Sequence, residues 1–420
     1  MIAHLIEQVF RQEGGRILAG LIRYLDGDFD LAEDALQDAY ARAFETWARE
    51  GMPDRPGAWL TRVAQRRAID LLRRRRVVPV VEEDLAAFAE AIVDAPEEET
   101  VDASGIDDDR LRLIFTCCHP ALAQPAQAAL ALRTLCGLTT REIARAFLET
   151  EAATAQRIVR AKKKIREARI PYEIPRAEQL PERLAAVLSV IYLVFNEAYS
   201  ATEKASFIRV ELSREAIRLG RLLHELLPAE PEATGLLALM LFHDARRTAR
   251  VNAAGEIVPL AEQDRTLWDR EKIEEGAALL DAAVALRRSG PYQIQAAIAA
   301  LHARAARAEE TDWPQIAALY GGLLQRQHTP VVELNAAVAL AMAGRLDEGL
   351  GWIAGLERRG ELAGYHLLPA AQAELLRRAG REDDARLAYQ RALALVNNPA
   401  ERAFLERRLA QLPLNQAQKH

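Results

Sequence analysis

The chain has 420 residues, half of them apolar, and 61 acidic against 55 basic residues leave it a net charge of −6. That length and apolar content predict two to four domains with real cores and exclude a wholly disordered chain. Three cysteines are too few for a disulfide scaffold, and no apolar run approaches the length needed to cross a bilayer.

Alanine, leucine, arginine and glutamate dominate, long β-branched runs are missing, and helical periodicity recurs almost everywhere, so the expected fold is all-α. The opening "MIAHLIEQVFRQEGG" has neither the basic start nor the small-residue cleavage site of a signal peptide. A cytoplasmic protein without membrane contact is expected.

The first informative stretch is "PGAWLTRVAQRRAIDLLRRRR" (Pro56–Arg76), rich in arginine with one acidic residue, Asp70. Leu60, Val63, Ala64, Ala68, Leu71 and Leu72 form a stripe at helical spacing, so one face packs inward. The arginines take the other faces and gather at the C-terminal end, where cations complement the helix dipole. Such a helix either presents charge to a polyanion or is an ordinary solvated helix end.

Residues 81–109 then carry twelve acidic residues and no basic one, which reads as a linker between two compact helical units. Beyond it, "FTCCHP" places Cys117, Cys118 and His119 side by side, without the two-to-four-residue spacing of a zinc ligand pair. The cysteines, Cys136 included, read as small buried hydrophobes, and no metal is expected.

In "GLTTREIARAF" (137–147), Thr139 is a candidate N-cap and Glu142 stands three residues on, the spacing of a capping box. Leu138 and Ile143 fall at the hydrophobic staple positions, and Thr150 can cap the next helix. On that helix Ile158 and Ile165 point inward, leaving Gln156, Arg157, Arg160, Lys163 and Lys164 largely outside. Two short helices, a tight turn and a cationic second helix describe a helix-turn-helix. Arginine and glutamine carry donors that match base edges in the major groove, and lysine neutralises phosphate. The plainer alternative is a helical hairpin with a solvated basic face.

Pro171, Pro175 and Pro181 punctuate passage into a long helical region. Asn196, Glu197, His243, Asp244, Arg246, Asp264, Arg265 and Trp268 cluster there, either as a satisfied buried network or as a binding surface for the N-terminal domains, a peptide or a small effector. No nucleophile or phosphate loop accompanies the His243–Asp244 pair, so an enzyme is not expected. Farther on, "LAMAGRLDEGL" (340–350) and "LRRAGREDDAR" (376–386) share Ala-Gly-Arg at an offset of 36, close to the tetratricopeptide period. An α-helical repeat array is expected from about 180 to 415.

Taken together, "DLAEDALQDAYARAFETW" (30–47) followed by Pro56–Arg74 resembles domain 2 of bacterial sigma factors of the extracytoplasmic-function group, and "LTTREIARAF…AQRIVRAKKKIRE" resembles their domain 4. The two cover about the first 170 residues. "FTCCHPAL", "GYHLLPA" and "ERAFLERRL" look like the subgroup that carries a helical-repeat extension. The resemblance implies sigma domain 2 over 1–78, an acidic linker over 79–108, sigma domain 4 over 109–172 and a tetratricopeptide-like domain over 173–420. It implies core RNA polymerase and promoter DNA as partners, with domain 2 on the β′ clamp helices and domain 4 on the β flap.

Residue by residue, Asp34, Gln37 and Asp38 match the polymerase-docking face of region 2.2. The loop 49–57 sits where the family captures a flipped −10 base. Trp59, Arg62, Arg66, Arg67 and Arg73 lie on the helix that holds the melted −10 strand. Arg141, Gln156, Arg157, Arg160, Lys163 and Lys164 occupy the positions that read or clamp the −35 element. The chain departs from the family at Gln65-Arg66, where Arg-Asn is common, and at Ala153 and Ala155, where Thr and Lys are frequent. Those departures bear on promoter preference rather than on fold.

A sigma factor of this kind shifts promoter opening by binding the unpaired strand, with no covalent step and no cofactor. Two short basic patches on an acidic chain neutralise few phosphates, so tight promoter binding is expected with core polymerase present. The covalent extension stands at high local concentration beside the sigma domains and is expected to regulate or complete their activity through contact in cis. The competing readings are a polymerase-independent helix-turn-helix regulator with a helical effector domain, and a helical-repeat scaffold.

Overall fold

The computed structural model describes residues 2–75, 103–147, 149–199, 207–252 and 256–413, and the described residues form α-helices, short 3-10 turns and one isolated bridge between Val251 and Ile257. Residues 79–102 of the acidic linker lie outside the described residues. The chain divides into two compact units, one of residues 1–198 with 214–226 and one of 199–213 with 227–420.

In the first unit, α1 (Ile2–Tyr24), α2 (Phe29–Glu50) and α3 (Pro56–Arg75) make a bundle. Asp28 caps α2 by accepting from the Leu31 amide at 2.9 Å, satisfying one of the free amides of the first turn. Leu31, Ala35, Leu36, Ala39, Ala43 and Trp47 then bury one face of α2 at helical spacing. On α3 the expected stripe is buried at Leu60, Ala64 and Ala68, while Val63, Leu71 and Leu72 are half-buried.

Next come α4 (Ala103–Cys117), α5 (Gln124–Thr134), α6 (Thr140–Ala146) and α7 (Glu151–Glu167). The expected capping box is present: the Thr139 hydroxyl accepts from the Glu142 amide at 3.2 Å, and the Glu142 carboxylate accepts from the Thr139 amide at 2.7 Å. The Thr150 hydroxyl accepts from the Ala153 amide at 3.2 Å and starts α7. Cys117, Cys118 and Cys136 are free and buried. Burial pushes the Cys117 thiol up to about 12, so it stays protonated and inert.

Most of α8 (Leu180–Tyr199) and the later part of α9 (Phe207–Leu226) fall in the same compact unit as α4 and α5. Arg183 donates to the Phe115 carbonyl at 2.7 Å and Arg218 to the Leu135 carbonyl at 2.7 Å. Those carbonyls sit at the C-terminal ends of α4 and α5, where a cation both satisfies an orphan acceptor and meets the negative end of the dipole. Gln124 adds a 2.7 Å bond to Ser189.

The second unit is built on α10 (Pro231–Ala245), buried along nearly its whole length between α11 (Arg270–Ala285) and α12 (Pro291–Arg304). Glu232 accepts from the Tyr292 and Gln293 amides at 2.8 and 3.0 Å, supplying the missing partners of the α12 N-terminus. The helices α13 (Trp313–Arg326), α14 (Pro330–Met342), α15 (Leu346–Arg359), α16 (Leu367–Arg378), α17 (Glu382–Leu395) and α18 (Pro399–Ala410) follow with short turns.

The Ala-Gly-Arg repeat is a structural repeat. Gly344 and Gly380 take φ of 90° and 71°, and the next amides, Arg345 and Arg381, return to Leu340 and Leu376 at 3.0 and 2.9 Å. This is the six-to-one bond that a left-handed glycine permits at a helix end. Each arginine then pairs with the acid three residues on, Arg345 with Glu348 and Arg381 with Asp384. Two hairpins of the same build result, α14–α15 and α16–α17.

Candidate nucleic-acid interface

On α2 the acidic side chains face out: Asp34 and Gln37 are exposed, and Asp38 is half-buried because it pairs with Arg67 of α3. That pair joins a residue expected to meet polymerase to one expected to meet DNA. At 100° per residue, Trp59, Arg62, Arg66 and Arg73 lie within about 60° of arc on α3, while Arg67 stands about 80° farther round. Arg62, Arg66 and Arg73 are exposed; Trp59 is half-buried, with its ring edge-on to the buried Trp47 at 5.4 Å. A fixed aromatic beside a row of cations can stack a base and neutralise the phosphates that follow it.

The second cationic helix sorts itself the same way. Gln156, Arg160 and Lys163 fall within about 60° of arc on α7 and are exposed, with Lys164 exposed at the flank. Arg141 is exposed on α6, the first helix of the pair. Arg157 is turned aside: its two terminal nitrogens hold the Glu149 carboxylate at 2.6 Å each, and Thr154 donates to the same group at 3.2 Å. The Arg157 bonds hold the Glu149 carboxyl below the usual carboxylate range. This fork ties the turn to the helix it precedes.

Two features had no sequence signal. Val159 is 63% exposed on the same side of α7 as Gln156, an apolar group of the kind that meets a thymine methyl. Lys162, one turn on from Val159, is largely buried and ion-paired with Asp30 at 3.2 Å and Glu33 at 2.7 Å, both on α2. The second recognition helix is thus locked against the helix that carries Asp34 and Asp38.

Other bonds reinforce that packing. Asp109 is buried between Arg23 of α1 at 2.8 Å and Arg112 at 2.6 Å. The Tyr172 hydroxyl donates to the Ala19 carbonyl at 2.9 Å, with the Asp109 carbonyl 3.1 Å away. Gly15 is obligatory at the crossing, since a Cβ there would lie 2.6 Å from the Leu135 carbonyl oxygen.

In the second unit the polar cluster centres on Asp244, while the buried indole Nε1 of Trp268 has no partner among the described residues. Asp244 accepts from Ser213 at 3.2 Å, from Arg247 and from Lys272 at 3.1 Å, and the cations hold its carboxyl low despite burial. Arg265 donates to the His302 and Ala305 carbonyls at 2.6 Å each and lies over the Trp268 ring. His243 is half-buried with Arg246 on its Nδ1 at 2.9 Å, and desolvation, with Arg246 and Arg250 beside it, keeps it neutral.

Residues 10–77 match the family described as Sigma-70 region 2, residues 112–165 match Sigma-70, region 4, and residues 183–284 match a Family of unknown function (DUF6596). An uncharacterized protein of Rhizobium meliloti (strain 1021) is 46% identical over 400 residues, covering 94% of this chain and 93% of its own. No solved structure matches the chain significantly. Among the described residues no helix is long and apolar enough to cross a membrane. The order of the two sigma regions, the bundle and the helix-turn-helix that carry them, and the helical domain beyond place the chain in one family: it belongs to the sigma factors of the extracytoplasmic-function type, with a C-terminal extension.

Proposed function

We propose that this sigma factor directs core RNA polymerase to its promoters in the cytoplasm by a division of labour among three helix faces. Asp34 and Gln37, with Asp38 beside them, dock α2 on the β′ clamp helices. Trp59, Arg62, Arg66 and Arg73 hold the unpaired −10 strand. Gln156, Arg160 and Lys163, flanked by Lys164 and Arg141, read and grip the −35 element while domain 4 rests on the β flap. The chain assists melting by binding the open form more tightly than the closed one, and it does no covalent chemistry.

The observation that carries this reading is the pairing of two exposed cationic stripes, on α3 and α7, with an exposed acidic face on α2. It also calls for a rearrangement. Promoter elements about two helical turns apart stand roughly 70 Å from each other, whereas Lys162 holds α7 directly on α2. Polymerase binding is therefore expected to break the Lys162 pairs, since the same face of α2 is wanted by the clamp helices. The extension, a tetratricopeptide-like array over the C-terminal part, regulates that opening from within the chain, its arginines at 183 and 218 being already fixed to domain 4.

Run-off transcription with core polymerase tests the reading: full-length protein should give promoter-specific transcripts and only weak, salt-sensitive DNA binding without polymerase. Tight specific binding by the protein alone, with no stimulation of core polymerase, would replace it with a polymerase-independent regulator.

A further inference from the structure

The final helix of the second unit returns to the segment that precedes the repeats: Arg407 pairs with Glu256, and Arg408 pairs with Glu262. Behind that closure lies a cavity of about 380 Å³, within the range of small-molecule sites. Its walls are mostly apolar, with Leu260, Trp313, Val338, Met342, Leu375 and Phe404 contributed by five separate segments.

The polar groups on the wall do not balance. Four arginines line it, at 265, 377, 378 and 408, against two carboxylates, Glu262 and Glu374. Glu374 serves both Arg377 and Arg378, at 2.7 and 3.1 Å. Glu262 serves Arg408, whose Nε is buried with no partner among the described residues. Arg265 is 9% exposed, and one of its terminal nitrogens donates to two carbonyl oxygens, which do not neutralise its charge. Glu309 and Glu310 offset Arg265 in part, though neither lines the cavity and Glu310 is itself held by Arg307.

His302, also on the wall, is held neutral. Burial, then Arg246 and Arg265, push it down to about 4, so this corner of the cavity resists a further positive charge. Arg377 and Arg378 reach solvent, so the buried cation without a carboxylate of its own on the wall is Arg265; a buried cation in apolar surroundings is costly unless an anion joins it.

We infer that this cavity is a binding site for a small amphipathic carboxylate, its apolar body against Val338, Met342 and Phe404 and its anionic head toward Arg265 and the buried Nε of Arg408. The site deepens the regulatory reading of the extension: a ligand bridging Arg265 and Arg408 would tighten the closure between the last helix and the 256–262 segment.

Isothermal titration of the full-length protein with decanoate, decanol and decylammonium tests it without polymerase or DNA, so its failure leaves the sigma assignment untouched. Decanoate should bind once per chain, at least tenfold more tightly than decanol, and decylammonium should not bind. Val338→Trp, which fills the cavity, should abolish the binding while the melting temperature stays near that of the parent. Arg265→Gln should cut decanoate affinity at least tenfold and leave decanol unchanged. If the three probes bind alike, if none binds, or if decanoate binding survives Val338→Trp, the inference is overturned.

Discussion

The two cationic helices, α3 and α7, solve one problem in two settings. On each, an arginine is held by an acid, Arg67 by Asp38 and Arg157 by Glu149, while a row of polar or cationic residues stands exposed on another face. They differ in what the held arginine joins. Arg67 ties α3 to α2 across the bundle, whereas Arg157 ties α7 to its own preceding turn. On both helices an arginine's setting depends on its side of the helix: Arg67 and Arg157 are tied to the fold, whereas Arg62, Arg66 and Arg160 are exposed. A tally of arginines would have treated them alike.

The comparison breaks most visibly where α2 meets polymerase. Asp34→Lys together with Gln37→Lys should abolish association with core polymerase and lower run-off transcription at least a hundredfold, with helicity and melting unchanged because both positions are exposed. Association that survives the reversal, measured by co-purification with core polymerase, removes α2 from the docking surface.

Loss of the α7 row should be selective. Arg160→Glu with Lys163→Glu should cut initiation at least tenfold from promoters that depend on a −35 element, while core polymerase binding is retained. By contrast, Arg157→Ala should act first on stability. A bidentate pair at these exposures has a coupling of about 1 kcal/mol. A double-mutant cycle with Glu149→Ala, read by chemical denaturation, should return that coupling. A coupling near zero would move Arg157 back among the DNA-reading residues.

The attachment of the extension to domain 4 sharpens the contrast further. A chain ending at residue 179 loses Arg183 and Arg218, and the C-terminal carbonyls of α4 and α5 lose those donors. It should be less stable than a chain ending at Leu226, by roughly 1–3 kcal/mol for each unpaired buried acceptor. Equal melting of the two truncated chains would make α8 and α9 dispensable to domain 4.

Acid should act on the second unit through its neutral histidines. His302 titrates at about 4 in the folded chain and near 6.5 when unfolded. The unfolded state therefore takes up its proton first, and stability complete above pH 6.5 falls as the pH drops toward 4. His302→Gln should flatten that part of the melting profile. An unchanged slope between pH 6.5 and 4 would assign the acid sensitivity elsewhere.

Much of this was legible in the chain because the signals are local. The capping box at Thr139–Glu142, the cap at Thr150, the inward stripe of α3 and the Ala-Gly-Arg turns all act within about four residues, or recur at a fixed offset. A helix periodicity also announces its buried face, so exposed Arg62, Arg66, Gln156 and Arg160 could be named before any coordinates. What could not be named were pairings between distant positions. Nothing around Lys162 marks it for Asp30 and Glu33, 132 and 129 positions earlier, and nothing around Arg218 marks it for the Leu135 carbonyl. The surplus of charge in the cavity is equally invisible, since Arg265, Arg377 and Arg408 become neighbours only when α18 returns to the 256–262 segment.

The order of residues alone determined the helices, their caps, the two cationic rows and the kinship with sigma factors, because backbone hydrogen bonding and hydrophobic period are short-range. Tertiary structure alone decided which cations are spent on the fold, that domain 4 is clasped by the extension's first helices, and that the repeats enclose a charged cavity. The reason is physical: an ion pair depends on distance through space, and chain separation leaves that distance undefined until the apolar faces have packed.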